Sequence, residues 1–422
     1  MEFQSGLEFA KHLDAIDELS EFRSQFHLPT DPSGNPLIYF CGNSLGLQPK
    51  ITKSYIETEL DDWARLGVEG HTQGRFPWLH YHEYLTETMA EIVGAKNHEV
   101  VVMNSLTVNL HLMMASFFQP TQKRFKILIE SDAFPSDKYA VESQLRHHHL
   151  DPVDSLILWS PREGEVLPDY EDLEQIMKEQ GNEIALVMIG GVNYYTGQYF
   201  DLKRITRLGH QYGCMVGFDC AHGAGNVALN LHDSDADFAI WCTYKYLNSG
   251  PGSLSGCFVH ERHAERPELN RFAGWWNHNK ETRFNMRQPF DQLFGAEGWQ
   301  LSNPPILSMA AIRASLDLFK SAGMPALIDK SKKLTAYFEF LLAELSEDRI
   351  KVITPENINE RGCQLSIQIK NADKFIHDKL TIAGVISDWR EPDVIRVAPV
   401  PLYNRFEDIF QMIQLLKTIL NG

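Results

Sequence analysis

Short apolar runs alternate with stretches of helical periodicity between residues 81 and about 260. Gly, Pro or Asp residues bound most of these runs, which is typical of buried strands joined by helical crossovers. The strands are predicted at 100–103, 126–130, 155–159, 184–192 and 215–219, and the helices at 81–95, 107–118, 136–146, 170–179 and 202–212. This alternation predicts a three-layer α/β domain with a mainly parallel sheet.

The pattern of apolar and polar residues changes after about residue 320. A long helix is predicted at 324–345, before KVITP and before CQLSIQIK, which alternates like a half-buried strand. A helix at 372–383, strands near 385–388 and 394–397, and an amphipathic helix at 405–420 complete this part. The pattern predicts a large domain at 51–320, a small α+β domain at 321–422, and an N-terminal segment at 1–50 that packs on the small domain or on a partner subunit.

The composition is that of an ordinary globular protein of two or three domains, with 422 residues, 43% of them hydrophobic and 23% charged. A net charge of −17 argues against binding to nucleic acids and to anionic membranes, because both attract basic surfaces. No apolar run is long enough to cross a membrane, and no signal peptide is recognised. The six cysteines form no C-x-x-C pair and are expected to be free thiols, so we predict a cytoplasmic protein.

An acidic residue and a lysine stand at the ends of two apolar runs in the large domain. Asp219 ends the run MVGFD, and ligands of open α/β sheets bind beyond the carboxyl ends of strands. By itself, Asp219 is best interpreted as a helix cap; a metal ligand and a partner for a cationic ring nitrogen are the alternatives. Lys245 follows the run FAIWCTY and has a tyrosine on either side. Partial desolvation there favours the neutral amine that forms Schiff bases, although a lone lysine is more often a surface residue.

Together the two residues fit a site for pyridoxal 5′-phosphate (PLP). This cofactor needs a lysine for the Schiff base and an acid that keeps its pyridine nitrogen protonated, and Lys245 and Asp219 supply them. It also needs a flat group over its ring, for which Phe134 in AFPSD is the candidate. Its phosphate needs amides and hydroxyls at a helix N-terminus, as SLT at 105–107 provides.

Two other motifs are interpreted as structural. The segment GPGSLSG lacks the Lys-Ser/Thr of a Walker A loop, so we predict a turn there. His147, His148 and His149 are adjacent on a predicted helix and point in different directions, so they are interpreted as a solvated surface run. No metal site is predicted.

Eight segments, spread over nearly the whole chain, resemble the kynureninase family. They are YFCGNSLGLQPK (39–50), VMNSLTVNLHLMMASFF (102–118), AFPSDKYAVESQL (133–145), GVNYYTGQYFD (191–201), VGFDCAHGAGNVALNLHD (216–233), WCTYKYLN (241–248), LSNPPI (301–306) and IRVAPVPLYN (395–404). The strings around TYKYLN and RVAPVPLYN are highly specific. The resemblance implies the PLP-dependent transferase fold type I, in the class V aminotransferase group.

The resemblance also implies roles for individual residues. Lys245 resembles the Schiff-base lysine, Asp219 the partner of the pyridine nitrogen, Phe134 the aromatic that stacks on the ring, and His222 a residue near the ring. Contacts with the cofactor and its phosphate are implied for Leu106, Thr107, Asp137 and Tyr244. Further cofactor contacts from the neighbouring subunit of a homodimer with shared active sites are implied for Trp275 and Asn303. Contacts with the substrate are implied for Ser44, His71 and Asn303, and Arg396 is implied to bind its α-carboxylate. Standing alone, Arg396 would be interpreted as a surface ion pair, and Trp275 and Asn303 as core or turn residues.

The sequence departs from the family pattern at two places. Gly190 stands where the family often has a Ser or Thr that touches the cofactor. In GWWNH, Trp276 and Asn277 stand where relatives often carry an aromatic residue and a Gly. Either Trp275 or Trp276 is therefore the candidate for the phosphate contact, and the pocket for the aryl group is expected to be reshaped.

The implied activity is that of a hydrolase acting on carbon–carbon bonds in ketonic substances. It cleaves the Cβ–Cγ bond of L-kynurenine or 3-hydroxy-L-kynurenine to anthranilate or 3-hydroxyanthranilate and L-alanine, in tryptophan degradation or NAD precursor synthesis. Lys245 is implied as the general base and Tyr244 as a proton donor or relay. The alternatives are another fold type I enzyme, such as a cysteine desulfurase or an aminotransferase, and a catalytically silent interaction protein. A desulfurase needs a mobile nucleophilic Cys, and Cys363 opens a predicted strand.

Overall fold

The structure is a computed structural model that describes residues 2–266, 268–286, 289–345, 347–370 and 373–421. Its helices are α1 (Leu7–Ala15), α2 (Thr52–Leu66), α3 (Gly70–Gln73), α4 (Glu83–Val93), α5 (Leu106–Phe117), α6 (Pro135–His147), α7 (Pro152–Ser155), α8 (Tyr170–Gln180), α9 (Leu202–Gln211), α10 (Leu231–Ser234), α11 (Ile306–Ala322), α12 (Met324–Ala343), α13 (Phe375–Ile382) and α14 (Phe406–Asn421).

Its strands are β1 (Ile38–Tyr39), β2 (Val100–Met103), β3 (Lys126–Glu130), β4 (Leu156–Trp159), β5 (Ile184–Gly190), β6 (Met215–Asp219), β7 (Phe238–Cys242), β8 (Ser255–Val259), β9 (Ile350–Val352), β10 (Leu365–Ile369), β11 (Val385–Ile386), β12 (Asp388–Arg390) and β13 (Val394–Val397). Among the described residues, no helix is both long and apolar enough to cross a bilayer.

The central sheet has seven strands in the order β2-β8-β7-β6-β5-β3-β4. All of them run parallel except β8, which is antiparallel to β2 and to β7. Strands β7 and β8 are buried at every position, because core side chains cover both faces of the sheet. The predicted α/β fold class is confirmed.

The direction of β8 follows from the connection before it. The segment GPGSLSG forms a turn at Gly250–Gly252 and then enters β8, as the predicted turn requires. A parallel neighbour would need a helical crossover of about a dozen residues or more, and the segment between β7 and β8 contains no helix. The chain therefore folds back antiparallel beside β7.

A separate antiparallel sheet, in the order β12-β13-β10-β9, forms the centre of the C-terminal part of the chain. Its side chains share a hydrophobic core with α12, α13 and α14, and with α1 from the start of the chain. The side chain of Asp14 accepts hydrogen bonds from the backbone N–H groups of Phe406 (2.7 Å) and Glu407 (3.0 Å), which caps α14.

Two predictions for this part of the chain were wrong in detail. The single strand expected near 385–388 is divided, since β11 pairs with β1 and β12 pairs with β13. The segment CQLSIQIK was expected to be half-buried, but Ser366 is fully buried and its hydroxyl donates to the carbonyl of Tyr195. A loop of the large domain covers this polar face, which local alternation cannot show. The predicted helix at 372–383 begins at Ala372, which lies outside the described residues.

A buried ion pair joins the N-terminal segment to α12. Lys330 Nζ lies 2.6 Å from Asp17 Oδ2 and donates to the carbonyl of Pro401, also at 2.6 Å. Lys330 is 5% exposed, so both charges depend on each other for solvation. Burial lowers the pKa of Lys330, and Asp17 opposes this shift.

We expect Lys330→Met to lower the free energy of unfolding by about 3 kcal/mol or more, because it leaves the Asp17 carboxylate buried without its cation. Lys333→Met is the matched control, since Lys333 pairs with Asp329 on the surface of the same helix. Urea unfolding of the two variants and the parent measures the difference. Equal unfolding midpoints for the two variants would show that the buried pair contributes nothing.

Candidate active site

The carboxyl ends of the parallel strands meet beside a cavity of roughly 380 Å³. Strands β3, β5 and β6 end at Glu130, Gly190 and Asp219, and Lys245 lies three residues after β7. This is the edge of an open α/β sheet at which ligands bind. The residues predicted from the sequence that line the cavity are Ser44, Leu106, Thr107, Phe134, Asp137, Asp219, His222, Tyr244, Lys245 and Arg396.

Lys245 is oriented by a histidine and faces an aromatic ring. Its Nζ lies 3.0 Å from His222 Nε2 and 5.8 Å from the centroid of the Phe134 ring. Burial is the largest cause, and the charge of Lys245 the second, of a pKa of His222 well below its usual value. The neutral imidazole therefore accepts the hydrogen bond through Nε2 and carries its proton on Nδ1, which has no partner among the described residues.

Two buried carboxyl groups, Asp219 and Asp137, lie together next to the lysine. Burial raises the pKa of both, and the charge of Asp219 raises that of Asp137 further. The charge of Lys245 and the hydrogen bond from Asp137 oppose the shift at Asp219, which also accepts the N–H of Ala221 at 2.7 Å. The pKa of Asp137 is raised more than that of Asp219, so a proton shared by the pair favours Asp137 and the negative charge favours Asp219.

Two helices begin at the wall of the cavity. Helix α5 starts at Leu106 and helix α6 at Pro135, so free N–H groups of both helices point towards the same region. The hydroxyl groups of Thr107 and Ser136 lie 3.2 Å apart there. Helix N-termini and hydroxyl groups in this arrangement suit a phosphate.

Arg396 lies at the small-domain side of the cavity and is 1% exposed. It extends from β13, and its Nη1 donates to the carbonyl of Tyr194 at 2.5 Å. The Tyr194 ring contacts the Phe134 ring edge-on, with centroids 5.2 Å apart. A guanidinium that lines the cavity beside these rings is suited to bind a carboxylate.

The loop containing GNSLG packs against the backbone that follows Lys245. The N–H of Gly46 donates to the carbonyl of Tyr244 at 2.8 Å. A Cβ atom at Gly46 would lie 2.3 Å from the carbonyl oxygen of Lys245, so only glycine permits this approach. The same loop places Asn43 and Ser44 in the cavity wall.

Gly190 leaves room for a buried acid that the sequence did not reveal. Both carboxylate oxygens of Glu130 accept the N–H of Gly190, at 3.0 and 3.2 Å. A Cβ atom at Gly190 would lie 2.7 Å from Glu130 Oε1, so a Ser or Thr at this position would require the Glu130 carboxylate to shift. Burial raises the pKa of Glu130 to about 7.

The raised pKa of Glu130 predicts a pH-dependent effect of Glu130→Gln. Between the ordinary pKa of 4.5 and about 7, the folded state binds more protons at this site, so stability falls as pH rises. The resulting loss in the free energy of unfolding of the parent protein is complete above pH 7 and is about 3 kcal/mol at most. The stability of the Gln variant relative to the parent should increase from pH 5 to 8.

Thermal unfolding of both proteins, each saturated with cofactor, measures this trend. Glu179→Gln, at an exposed position on α8, is the control. A stability difference that stays constant with pH would contradict the titration of Glu130.

Three predicted site residues lie outside this cavity within the chain. His71 belongs to α3, where its Nδ1 lies 3.0 Å from the carbonyl of Val68. Trp275 is 42% exposed and donates to the carbonyl of Arg283, and Asn303 is exposed. Trp276, the alternative to Trp275, is buried and lies against the Arg283 guanidinium.

Several cavity residues were missed from the sequence. Glu130 ends a strand, which is the signal that identified Asp219, and Ser136 stands in the quoted string AFPSD. Tyr194 and Arg390 also line the cavity. Arg390 belongs to a strand whose pairing with β13 is visible only in the fold.

The side chains and helix N-termini that line the cavity fit PLP. The cavity is lined by an amine, a buried carboxylate, an aromatic ring and the N-termini of two helices. Asp137 Oδ1 and His222 Nδ1 are buried polar atoms without a partner among the described residues, so polar groups remain for a ligand. These are the groups that a cofactor with a ring nitrogen, a hydroxyl and a phosphate requires.

Solved structures share this fold. The cysteine desulfurase from Thermococcus onnurineus NA1 has a TM-score of 0.74 at 17% identity, covering 95% of this chain and 98% of its own. The cysteine desulfurase CsdA from Escherichia coli has a TM-score of 0.76 at 15% identity, covering 96% and 98%. A structure of C-DES with glycine covalently linked to the PLP cofactor has a TM-score of 0.75 at 16% identity, covering 93% and 98%. Fold and site together define a PLP-dependent enzyme of fold type I.

The sequence comparisons identify the family. The model of the kynureninase C-terminal domain matches residues 327–416. The chain is 56% identical over 415 residues to the kynureninase of Myxococcus xanthus, covering 98% of this chain and 97% of the relative. It is 53% identical to the kynureninase of Koribacter versatilis, covering 99% of both chains. The chain belongs to the kynureninase family.

Proposed function

We propose that this protein hydrolyses the Cβ–Cγ bond of L-kynurenine or 3-hydroxy-L-kynurenine, which gives L-alanine and anthranilate or 3-hydroxyanthranilate. The observation that carries the proposal is the meeting of Lys245, Asp219 and Arg396 at one cavity in a chain of this family. The reaction contributes to tryptophan degradation or to the synthesis of an NAD precursor. The five buried and one half-buried free cysteines suit the reducing cytoplasm.

PLP, when bound, supplies an electron sink beside the substrate α-carbon. Lys245 Nζ would hold the cofactor covalently in the resting enzyme and is placed to move the α-proton of the substrate. The neutral His222 Nε2 holds this amine in place by accepting its hydrogen bond. The negative charge on Asp219 would keep the ring nitrogen of the cofactor protonated, and Phe134 would exclude water from one face of its ring.

The remaining polar groups of the cavity bind and orient the cofactor and the substrate. Leu106, Thr107 and Ser136 hold the phosphate at the two helix N-termini. Arg396 binds the substrate α-carboxylate, and Ser44 contacts the substrate. Burial raises the pKa of Tyr244, so its hydroxyl stays protonated and can donate a proton to the substrate.

A second subunit completes the site in this proposal. Trp275 and Asn303 are exposed and lie outside the cavity of their own chain, which suits a contribution to a neighbouring copy. Trp275 is favoured over the buried Trp276 for the phosphate contact, because a partner can reach only an exposed side chain. His71 is assigned to the substrate pocket with them. We also propose a large domain at 51–320, a small domain at 321–422 and an N-terminal segment at 1–50.

A visible absorption scan of the purified protein, followed by addition of L-kynurenine, tests the function. A yellow band and the appearance of anthranilate fluorescence are expected. A yellow protein that forms neither anthranilate nor 3-hydroxyanthranilate would show that the enzyme acts on a different substrate. A colourless protein that takes up no PLP would refute the assignment as an enzyme. Cysteine desulfuration is not favoured, because Cys363 is fully buried and burial raises its thiol pKa to about 12.

A further inference from the structure

Asp388, Arg390 and Arg396 form a cluster of three charges on one face of the small-domain sheet. Asp388 of β12 stands directly opposite Arg396 of the antiparallel β13. Arg390 is two residues further along β12, so its side chain lies on the same face as that of Asp388. Arg396 Nη2 and Arg390 Nη2 both donate to Asp388 Oδ2, Arg390 at 3.0 Å. We call this cluster the charge triad.

Both arginines of the charge triad line the cavity that contains Lys245. The side chains are 2% exposed for Arg396, 15% for Asp388 and 38% for Arg390, so solvent reaches the triad from the Arg390 side. The Nε atoms of both arginines are buried and have no acceptor among the described residues. Each arginine therefore has a donor that the protein does not use, and the triad carries a net charge of +1.

Asp388 competes with a substrate carboxylate for Arg396. If Asp388 paired with Arg396 alone, the two charges would cancel, and an incoming carboxylate would have to displace Asp388 from a poorly solvated site. Arg390 changes this balance because it binds the same carboxylate oxygen. The arrangement leaves one positive charge for the ligand and holds Asp388 in place when the ligand binds.

We propose that Arg390 is a positioning residue for the substrate α-carboxylate. It acts through Asp388, which it holds and neutralises, so that Arg396 remains available as a cation. The ligand class is an α-amino acid with a free carboxylate. This inference rests on the proposed role of Arg396 in binding that carboxylate.

Arg390→Ala should raise KM for L-kynurenine about tenfold and change kcat by less than about threefold, because the triad becomes neutral while the reacting groups are untouched. The increase in KM should become smaller as salt is added. The analogue of kynurenine that lacks the α-carboxylate should bind the variant and the parent equally. Arg349→Ala, which removes an exposed cation beside β9, is the matched control and should change neither parameter.

A charge-restoring double variant separates this role from a structural one. Arg390→Ala combined with Asp388→Asn returns the triad to a net charge of +1 and should recover most of the lost affinity. Arg390→Lys should recover part of it, because an ammonium group can bind Asp388 without the planar fork. A purely structural role of Arg390 predicts instead that the second substitution adds to the damage.

The outcomes distinguish this inference from the proposed function. If Arg396→Met leaves KM for L-kynurenine unchanged, the assignment of the carboxylate site is wrong. If Arg396→Met raises KM but Arg390→Ala does not, the role of Arg390 alone is refuted. A double variant that keeps the full KM defect of Arg390→Ala would also refute it, since Arg390 would then act without Asp388.

Discussion

Lys245→Ala is expected to lower turnover of L-kynurenine by about 10⁴-fold or more and to remove the yellow absorption of lysine-linked cofactor. Among the described residues that line the cavity, Lys245 is the only lysine. Its amine has two tasks, covalent attachment of the cofactor and transfer of the α-proton, and alanine performs neither. Anthranilate fluorescence after substrate addition measures turnover, and a visible scan of the purified variant measures attachment.

Lys203→Ala is the control for this variant, because Lys203 is exposed on α9, away from the cavity. It should keep the yellow band and the parental rate. Circular dichroism of both variants checks that the fold is retained. A Lys245→Ala protein that is yellow and turns over would refute the assignment of the lysine and leave the cavity without its nucleophile.

The architecture of the seven-stranded sheet could be predicted because most of its strands are buried on both faces. Apolar runs such as the one that forms β6 are bounded by glycine or by acidic residues, and they match the strands closely. The antiparallel direction of β8 and the burial of Ser366 could not be predicted in this way. Both depend on which neighbour the chain meets after a turn, and this is not encoded in local periodicity.

The residues of the candidate site also fall into those that local sequence features predict and those that they do not. Lys245 and Asp219 could be nominated because their positions at strand ends are local features, and the resemblance then supplied Arg396. Glu130 and Arg390 were missed although each is a charged residue at the end of a strand. Their importance arises from contacts with residues far along the chain, Gly190 for Glu130 and the Asp388–Arg396 pair for Arg390.

Asp219→Asn is expected to lower turnover by about 10³-fold, because the neutral amide cannot stabilise a protonated ring nitrogen. The substitution keeps the size of the side chain, and the amide oxygen can still accept the N–H of Ala221. The variant should also shift the visible absorption of the bound cofactor and lose cofactor more readily on dialysis. Steady-state rates, the absorption spectrum and the cofactor content after dialysis measure the three effects.

Asp137→Asn is the informative comparison, because it tests where the charge of the carboxyl pair resides. Burial raises the pKa of both groups, and the charge of Lys245 and the N–H of Ala221 oppose this shift at Asp219, which favours the proton on Asp137 and the charge on Asp219. An amide at position 137 can still donate to Asp219, so this variant should lose less than about tenfold in turnover. If Asp137→Asn is as damaging as Asp219→Asn, the pair acts as a unit and the charge is not confined to Asp219. If Asp137→Asn is the more damaging of the two, the proton has been assigned to the wrong carboxyl group, and Asp137 rather than Asp219 keeps the ring nitrogen protonated.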